Sequence, residues 1–192
     1  MELSKASQLK SVVYNFFDRL IYQGPFQDWR ANKGNLRSRL ILILFRLATF
    51  FRKHKLLAIL FIWYLVLYRI VIEWILHIEL NWHVKSGKNL KLTQGHGIVI
   101  QGSTVLGNNC TIRHHTTIGH KMLSDGTWSS SPKIGNNVDI GVNVTIIGDI
   151  EIGDNVTIGA GAVVTKSVLP NCVMVGNPAK LLKMVYTQHS IV

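Results

Sequence analysis

Four of the eight histidines, His96, His114, His115 and His120, fall between positions 96 and 120. An imidazole that is neutral near pH 7 is the natural general base for a hydroxyl or amine acceptor, provided it reaches the proton it removes. His114 and His96 are therefore the candidate catalytic residues. Gln94, Arg113, His115, His120, Asp125 and Trp128 are the neighbouring candidates for holding an acceptor. Zinc is the alternative use of such a cluster, but no companion Cys or Glu is obvious, so no metal is expected. The two cysteines, Cys110 and Cys172, lie in apolar contexts and read as buried thiols, without disulfide or metal spacing.

What brings His96 and His114 together is a repeat of six. An aliphatic residue recurs at Ile100, Leu106, Ile112 and Ile118, then at Ile134, Ile140, Ile146, Ile152, Ile158 and Val164. Four positions later comes a second small or apolar residue, as at Cys110, Thr116, Val138, Val144, Ile150, Val156 and Ala162. Neither a helix of 3.6 nor a strand of 2 produces that period. A coil with three short flat faces does, with the aliphatic side chains filling its core and Gly and Asn at the tight corners. Three hexapeptides complete a coil of about 18 residues, so residues that far apart stack at roughly 4.8 Å. His96 and His114 are 18 apart and are expected one above the other.

The fold class is thus mainly β, a left-handed parallel β-helix over about residues 81–170, with a C-terminal turn and tail over 171–192. The phase slips once, between Ile118 and Ile134, which extrudes a ten-residue loop over 122–131. An insertion in a regular solenoid usually serves the binding face. Solvent-exposed decoration is the alternative.

Residues 1–80 follow a different pattern. Ala6 to Tyr22 has apolar residues at helical spacing, Gln23 to Asn35 reads as a loop, and Leu36 to Phe51 and Leu56 to Leu80 read as hydrophobic helices. Through Lys88 the chain carries 14 Lys plus Arg against 5 Asp plus Glu, a net +9; the remainder has 7 against 5, a net +2. The overall +11 therefore belongs mainly to the N-terminal half. Such an excess suits a polyanion, an anionic membrane surface or an acidic small molecule. No nucleic-acid signature accompanies it, and none is expected as partner. Three readings of residues 36–80 stay open: burial against sister subunits as an oligomer cap, monotopic insertion into a membrane surface, or a true span. The longest uncharged run, Leu56 to Tyr68, is short of the ~20 residues a span needs. Nothing at Met1 to Lys10 resembles a secretory signal, so a cytoplasmic location is expected, with association to the inner face of the membrane as an option.

The flat faces of a β-helix, and the clefts between neighbours in a trimer, offer room for a long cofactor. Small residues such as Gly141, Gly159 and Ala160 permit close backbone approach, and their plainer duty is making turns. Asn143 is a further cofactor-binding candidate, and Lys180 and Lys183 beyond the Gly176-Asn-Pro turn are candidates for phosphates or simply solvated charges.

Ile134 to Val185 resembles the hexapeptide-repeat acyltransferases, in the branch holding serine acetyltransferases and the colanic acid acetyltransferases of exopolysaccharide synthesis. Similarity to the latter spans about Phe45 to Val185. It includes Val66-Leu-Tyr-Arg-Ile-Val-Ile-Glu, Cys110-Thr-Ile-Arg-His-His-Thr-Thr-Ile-Gly and Val144-Thr-Ile-Ile-Gly-Asp-Ile. The resemblance implies a homotrimer, acetyl-CoA as donor and direct transfer assisted by a histidine base. Serine acetyltransferases carry an Asp-His pair where this chain has Thr93-Gln94, and a His where it has Ser131 before Pro132. Those departures argue against serine as acceptor, while Arg113-His114 matches the polysaccharide branch. The expected function is O-acetylation of a sugar hydroxyl in a surface polysaccharide or its lipid-linked or nucleotide-linked precursor. Acetylation of serine or a small amine, and a non-catalytic trimeric scaffold or anion-binding module, are the alternatives.

Overall fold

The computed structural model describes residues 24–53 and 55–185. The helix expected over Ala6 to Tyr22 lies outside them. The solenoid is built from three parallel sheets, one per face. Face one stacks β1 (Glu79–Leu80), β4 (Val99–Ile100), β7 (Thr117–Gly119), β10 (Thr145–Ile147) and β13 (Val163–Val164). Face two stacks β2 (Lys85–Ser86), β5 (Val105–Leu106), β8 (Lys133–Ile134) and β11 (Glu151–Ile152). Face three stacks β3 (Lys91–Thr93), β6 (Thr111–Arg113), β9 (Asp139–Ile140), β12 (Thr157–Ile158), β14 (Cys172–Val175) and, antiparallel at the end, β15 (Lys180–Met184).

All the aliphatic positions of the six-residue repeat are buried, and so are the second positions from Cys110 to Ala162. They form vertical columns such as Leu80, Ile100, Ile118, Ile146 and Val164 on face one. Full burial of each such side chain contributes about 1.5–3 kcal/mol. The registers carry the phase slip: Ile100 stands over Ile118, whereas Leu106 stands over Ile134 and Ile118 over Ile146.

The solenoid begins one coil earlier than the uninterrupted repeat, at Glu79. That first coil is two residues longer than the standard one, since Leu92 pairs with Ile112 and Leu80 with Ile100. The surplus falls at Gln94 to Gly97. Its face-three strand would leave an open sheet edge, a template for unwanted pairing. Side chains from the preceding loop and helix close it. Leu90 N–H donates to Asp28 Oδ1 (2.9 Å) and Leu92 N–H to Asn32 Oδ1 (3.0 Å). In return Asn32 Nδ2 donates to Leu90 O (2.8 Å) and Ser38 Oγ to Leu92 O (2.7 Å). Buried Arg46 holds Asp28 in place through two guanidinium contacts and also donates to Ser86 O and Gly87 O.

The helices are α1 (Leu36–Lys53), α2 (Lys55–Leu60) and α3 (Ile62–Arg69), followed without a break by a π-helical turn over Ile70–Ile75. The helical segment thus stops short of the expected Leu80, because Glu79 and Leu80 are taken by β1. α1 buries Ile41, Leu42, Phe45 and Ala48. Tyr64 Oη donates to Leu44 O and Tyr68 Oη to Leu80 O, so α3 is pinned to both α1 and the first coil. Burial pushes the Tyr64 hydroxyl up to about 12 and that of Tyr68 higher still, keeping both phenols protonated as donors. Among the described residues no helix is long and apolar enough to cross a membrane.

Candidate functional site

The histidines divide between two corners of the triangle. His96, His114 and His115 sit where face three turns into face one. His120 and the extruded loop sit at the other end of face one, where it turns into face two. The chain from His114 to His120 runs through β7, and at about 3.3 Å per residue the two positions lie up to roughly 20 Å apart. Residues that are close in sequence therefore stand at two corners of the coil.

At the first corner, His115 N–H donates to His96 O (3.0 Å) and Asn143 N–H to His114 O (3.1 Å), so the coils stack directly. The His96 and His114 ring centroids are 6.0 Å apart, and His115 lies 5.3 Å from His114 and 6.4 Å from His96. His115 takes a left-handed backbone with φ 58°, uncommon for a residue bearing a side chain. Its ring occupies the space that Gly97 leaves: a Cβ at Gly97 would stand 2.3 Å from His115 Nδ1. His114 is half-buried, and its Nδ1 is buried without a partner within the described residues. Orphaned buried polar atoms are rare and mark a catalytic group, a strained site, or a place taken by a ligand or ordered water. Arg113 sets its guanidinium against the Asp139 carboxylate and Ile140 O. Gln94 is exposed at φ 53° in the two-residue surplus of the first coil.

At the second corner, His120 is half-buried, its N–H donates to Gln101 Oε1 (2.6 Å), and its ring meets Trp128 edge-on at 4.4 Å. It lines a cavity of about 330 Å³ with Arg69, Glu73, Glu79, Asn81, Ile100, Gln101 and Gly102. Arg69 forms an ion pair with Glu73 one helical turn on. The extruded loop is a small hairpin: Met122 bridges Trp128, Leu123 N–H donates to Thr127 O, and Gly126 turns at φ 82°. Asp125 accepts from both the N–H and the hydroxyl of Thr127, which holds its exposed carboxyl below the usual range. Its hydrogen bonds thus shape the turn. Trp128 is exposed beside His120.

Arg69, Glu73, Glu79, Asn81 and Gln101 had no signal in the repeat, because they come from the helix and from outward-facing strand ends whose contacts depend on the fold. The role of Gly97 is likewise invisible until the His115 ring is seen above it.

The residues proposed for a cofactor are dispersed. Gly141 and Gly159 are small because the coils require it: a Cβ at Gly141 would meet Ala160 N at 2.6 Å, and one at Gly159 would meet the Val175 side chain at 2.9 Å. Asn143, at φ 55°, and Ala160 lie at the histidine corner's level of the later coils. Lys180 lines a cavity of about 410 Å³ with Lys166, Thr165 and Ser167, a basic and hydroxyl-bearing set suited to phosphate. Lys183 is exposed on β15 opposite Val173. Among the described residues no group of three His, Cys, Asp or Glu side chains is arranged to hold a metal ion. Cys110 is buried, and desolvation pushes its thiol up, which makes it a poor nucleophile.

Residues 131–166 match the family model for the bacterial transferase hexapeptide (six repeats). The chain is 38% identical over 161 residues to the putative colanic acid biosynthesis acetyltransferase of Escherichia coli, covering 81% of this chain and 96% of that one. It is 36% identical over 111 residues to serine acetyltransferase 2 of Arabidopsis thaliana, covering 58% of this chain and 34% of that protein. Among solved structures, the serine acetyltransferase of Neisseria gonorrhoeae superposes with a TM-score of 0.71 at 27% identity, over 91% of this chain and 71% of that one. With its coils, its helices and most of its length shared in this way, the chain belongs to the hexapeptide-repeat acetyltransferases, related to both the colanic acid and the serine enzymes, and its reaction is acetyl-CoA-dependent acyl transfer.

Proposed function

We propose that this chain moves an acetyl group from acetyl-CoA to a sugar hydroxyl of a surface polysaccharide or its precursor. The observation that carries the base assignment is His114, half-buried, grouped in a triangle of rings with His96 and His115, and with its Nδ1 unpartnered within the described residues. In this reading His114 accepts the hydroxyl proton as the oxygen attacks the thioester carbonyl. A backbone N–H of the corner receives the developing oxyanion, and the CoA thiolate departs. His96 orients the base from the coil beneath. No covalent enzyme intermediate is required, in keeping with the buried thiol of Cys110.

Support for a glycan acceptor comes from the near-complete coverage of the colanic acid relative and from Thr93, Gln94 and Ser131. Those three stand where the serine enzymes carry their first-coil Asp-His pair and the later His. Ser131 is buried, and its hydroxyl has no partner in the described residues. For the donor, Lys180 with Lys166 and Thr165 fits the phosphates, in a cleft completed by a trimer.

A second reading rests on a specific observation: His120 lines a polar cavity beside an exposed indole, an arrangement suited to a sugar ring. In it His120 is the base. Acetyl-CoA turnover against a panel of oligosaccharides and serine, with His96→Ala, His114→Ala and His120→Ala beside wild type, tests both. Glycan acetylation lost in His114→Ala and retained in His120→Ala supports the first reading; the reverse pattern supports the second. Formation of O-acetylserine with no glycan product would overturn the acceptor class.

A further inference from the structure

From Lys55 to Ile75 the helical segment is apolar nearly all the way round, yet only one side of it packs. Leu65, Tyr68 and Ile72 are buried against the rest of the molecule. The opposite side shows Leu56, Ile59, Leu60, Trp63, Val66 and Ile70 to solvent, and Trp74 closes the stripe. Leu56 is 83% exposed, Ile59 72% and Trp74 75%, which is far from the isolated exposed leucine of an ordinary surface.

Charge says what covers it. Three exposed basic residues, Arg52, Lys53 and Lys55, collar the start of the stripe. From Trp29 to Ile72 the sequence contains no acidic residue at all. A second copy of this chain seated on the stripe would bring another such collar, and the one carboxylate of the Lys55–Ile75 segment, Glu73, is already paired with Arg69. An anionic lipid surface supplies both complements at once, phosphates for the collar and hydrocarbon for the stripe. The two indoles suit the boundary between them, where an apolar ring with one polar N–H is favoured. The helices lie too short to cross, so the contact is with one leaflet.

We infer that α2, α3 and the π-helical turn form a monotopic docking surface for an anionic lipid bilayer, with the apolar stripe in the acyl boundary and the Arg52–Lys55 collar at the headgroups. The inference does not rest on which histidine is the base or on which acceptor is used.

The test is flotation of the full-length protein with phosphatidylcholine vesicles, with and without phosphatidylglycerol. Wild type is expected to float with the anionic vesicles and much less with the neutral ones. The stripe variant Trp63→Ser/Trp74→Ser is expected to lower flotation on both by tenfold or more, and the collar variant Arg52→Glu/Lys53→Glu/Lys55→Glu to abolish the preference for phosphatidylglycerol. All the changed residues are exposed, so melting curves should stay close to wild type and separate lost binding from lost folding. Failure of wild type to float with anionic vesicles overturns the inference, as does equal flotation of the stripe variant. If the stripe variant instead alters the oligomer size in lipid-free solution while flotation is absent, the occupant is a second copy and the inference is likewise overturned.

Discussion

At the corner that leads into face three, Asn89, Asn109, Asn137, Asn155 and Asn171 all adopt left-handed backbones, with φ between 55° and 60°. Each of the first four donates its side-chain amide to the asparagine of the next coil at 2.9–3.0 Å, and Asn171 ends the ladder as acceptor. At the corner that leads out of face three the same conformation is taken by Gly97, His115, Asn143 and Gly161. No amide ladder runs there. Asparagine meets the conformational demand at low cost and stabilises the stack by hydrogen bonding to itself, so a corner that forgoes it must be occupied for another reason. The difference teaches where to look for chemistry: the regular corner is scaffold, and the irregular one carries three imidazoles.

That contrast can be broken or sharpened by substitution. The largest effect is expected from His114→Ala, a fall of about 10²–10⁴ in kcat with little change in melting temperature, read by thiol release from acetyl-CoA. Gly97→Ala is expected to cost about 1–3 kcal/mol in denaturant unfolding, because alanine is disfavoured at its φ of 60° and its Cβ displaces the His115 ring; activity should fall with it. Asn137→Ala, in the middle of the amide ladder, is expected to cost about 1–2 kcal/mol and to leave kcat unchanged. A drop in kcat for Asn137→Ala comparable to that for His114→Ala would erase the distinction between the corners. His115→Asn should be the mildest in stability, within about 1 kcal/mol of wild type, since it restores the residue type the other corner uses. Finally, Cys110 follows the ladder residue Asn109 and is buried, with its thiol pushed up. Alkylation at pH 8 should therefore be slow and should speed up only above the ordinary thiol range.

The coils from Ile100 to Val164 were legible because one aliphatic residue per hexapeptide is both the signal and the core. The first coil was not. Ser86, between Leu80 and Leu92 in sequence, takes an aliphatic position of the repeat and stacks on Leu106, and two surplus residues at the Gln94 to Gly97 corner break the phase. The loop over 122–131 could be counted from the slip, but its hairpin depends on a bridge between Met122 and Trp128 that no repeat encodes. Nor could the sequence separate His120 from His114, since it measures proximity along the chain while a triangular coil places a whole face between them. Asp28 and Asn32 were hidden for a related reason. In a stretch with Gly24, Pro25 and Gly34 they read as solvated loop residues, yet both are buried against the first coil.

The Asp28, Asn32 and Ser38 bonds also bear on how the chain reaches its native state. Neighbouring coils meet across 16–28 residues of sequence, whereas these contacts join positions 54–62 apart. Closing the longer loops is entropically the later event, so the stack is expected to form before its N-terminal edge is covered. During that interval the Lys91–Thr93 strand is a free end on which another molecule's coil could grow. Three short side chains and the arginine behind them therefore act as a terminator, and their loss should appear first as fibrous association during refolding, well before any change in the finished enzyme.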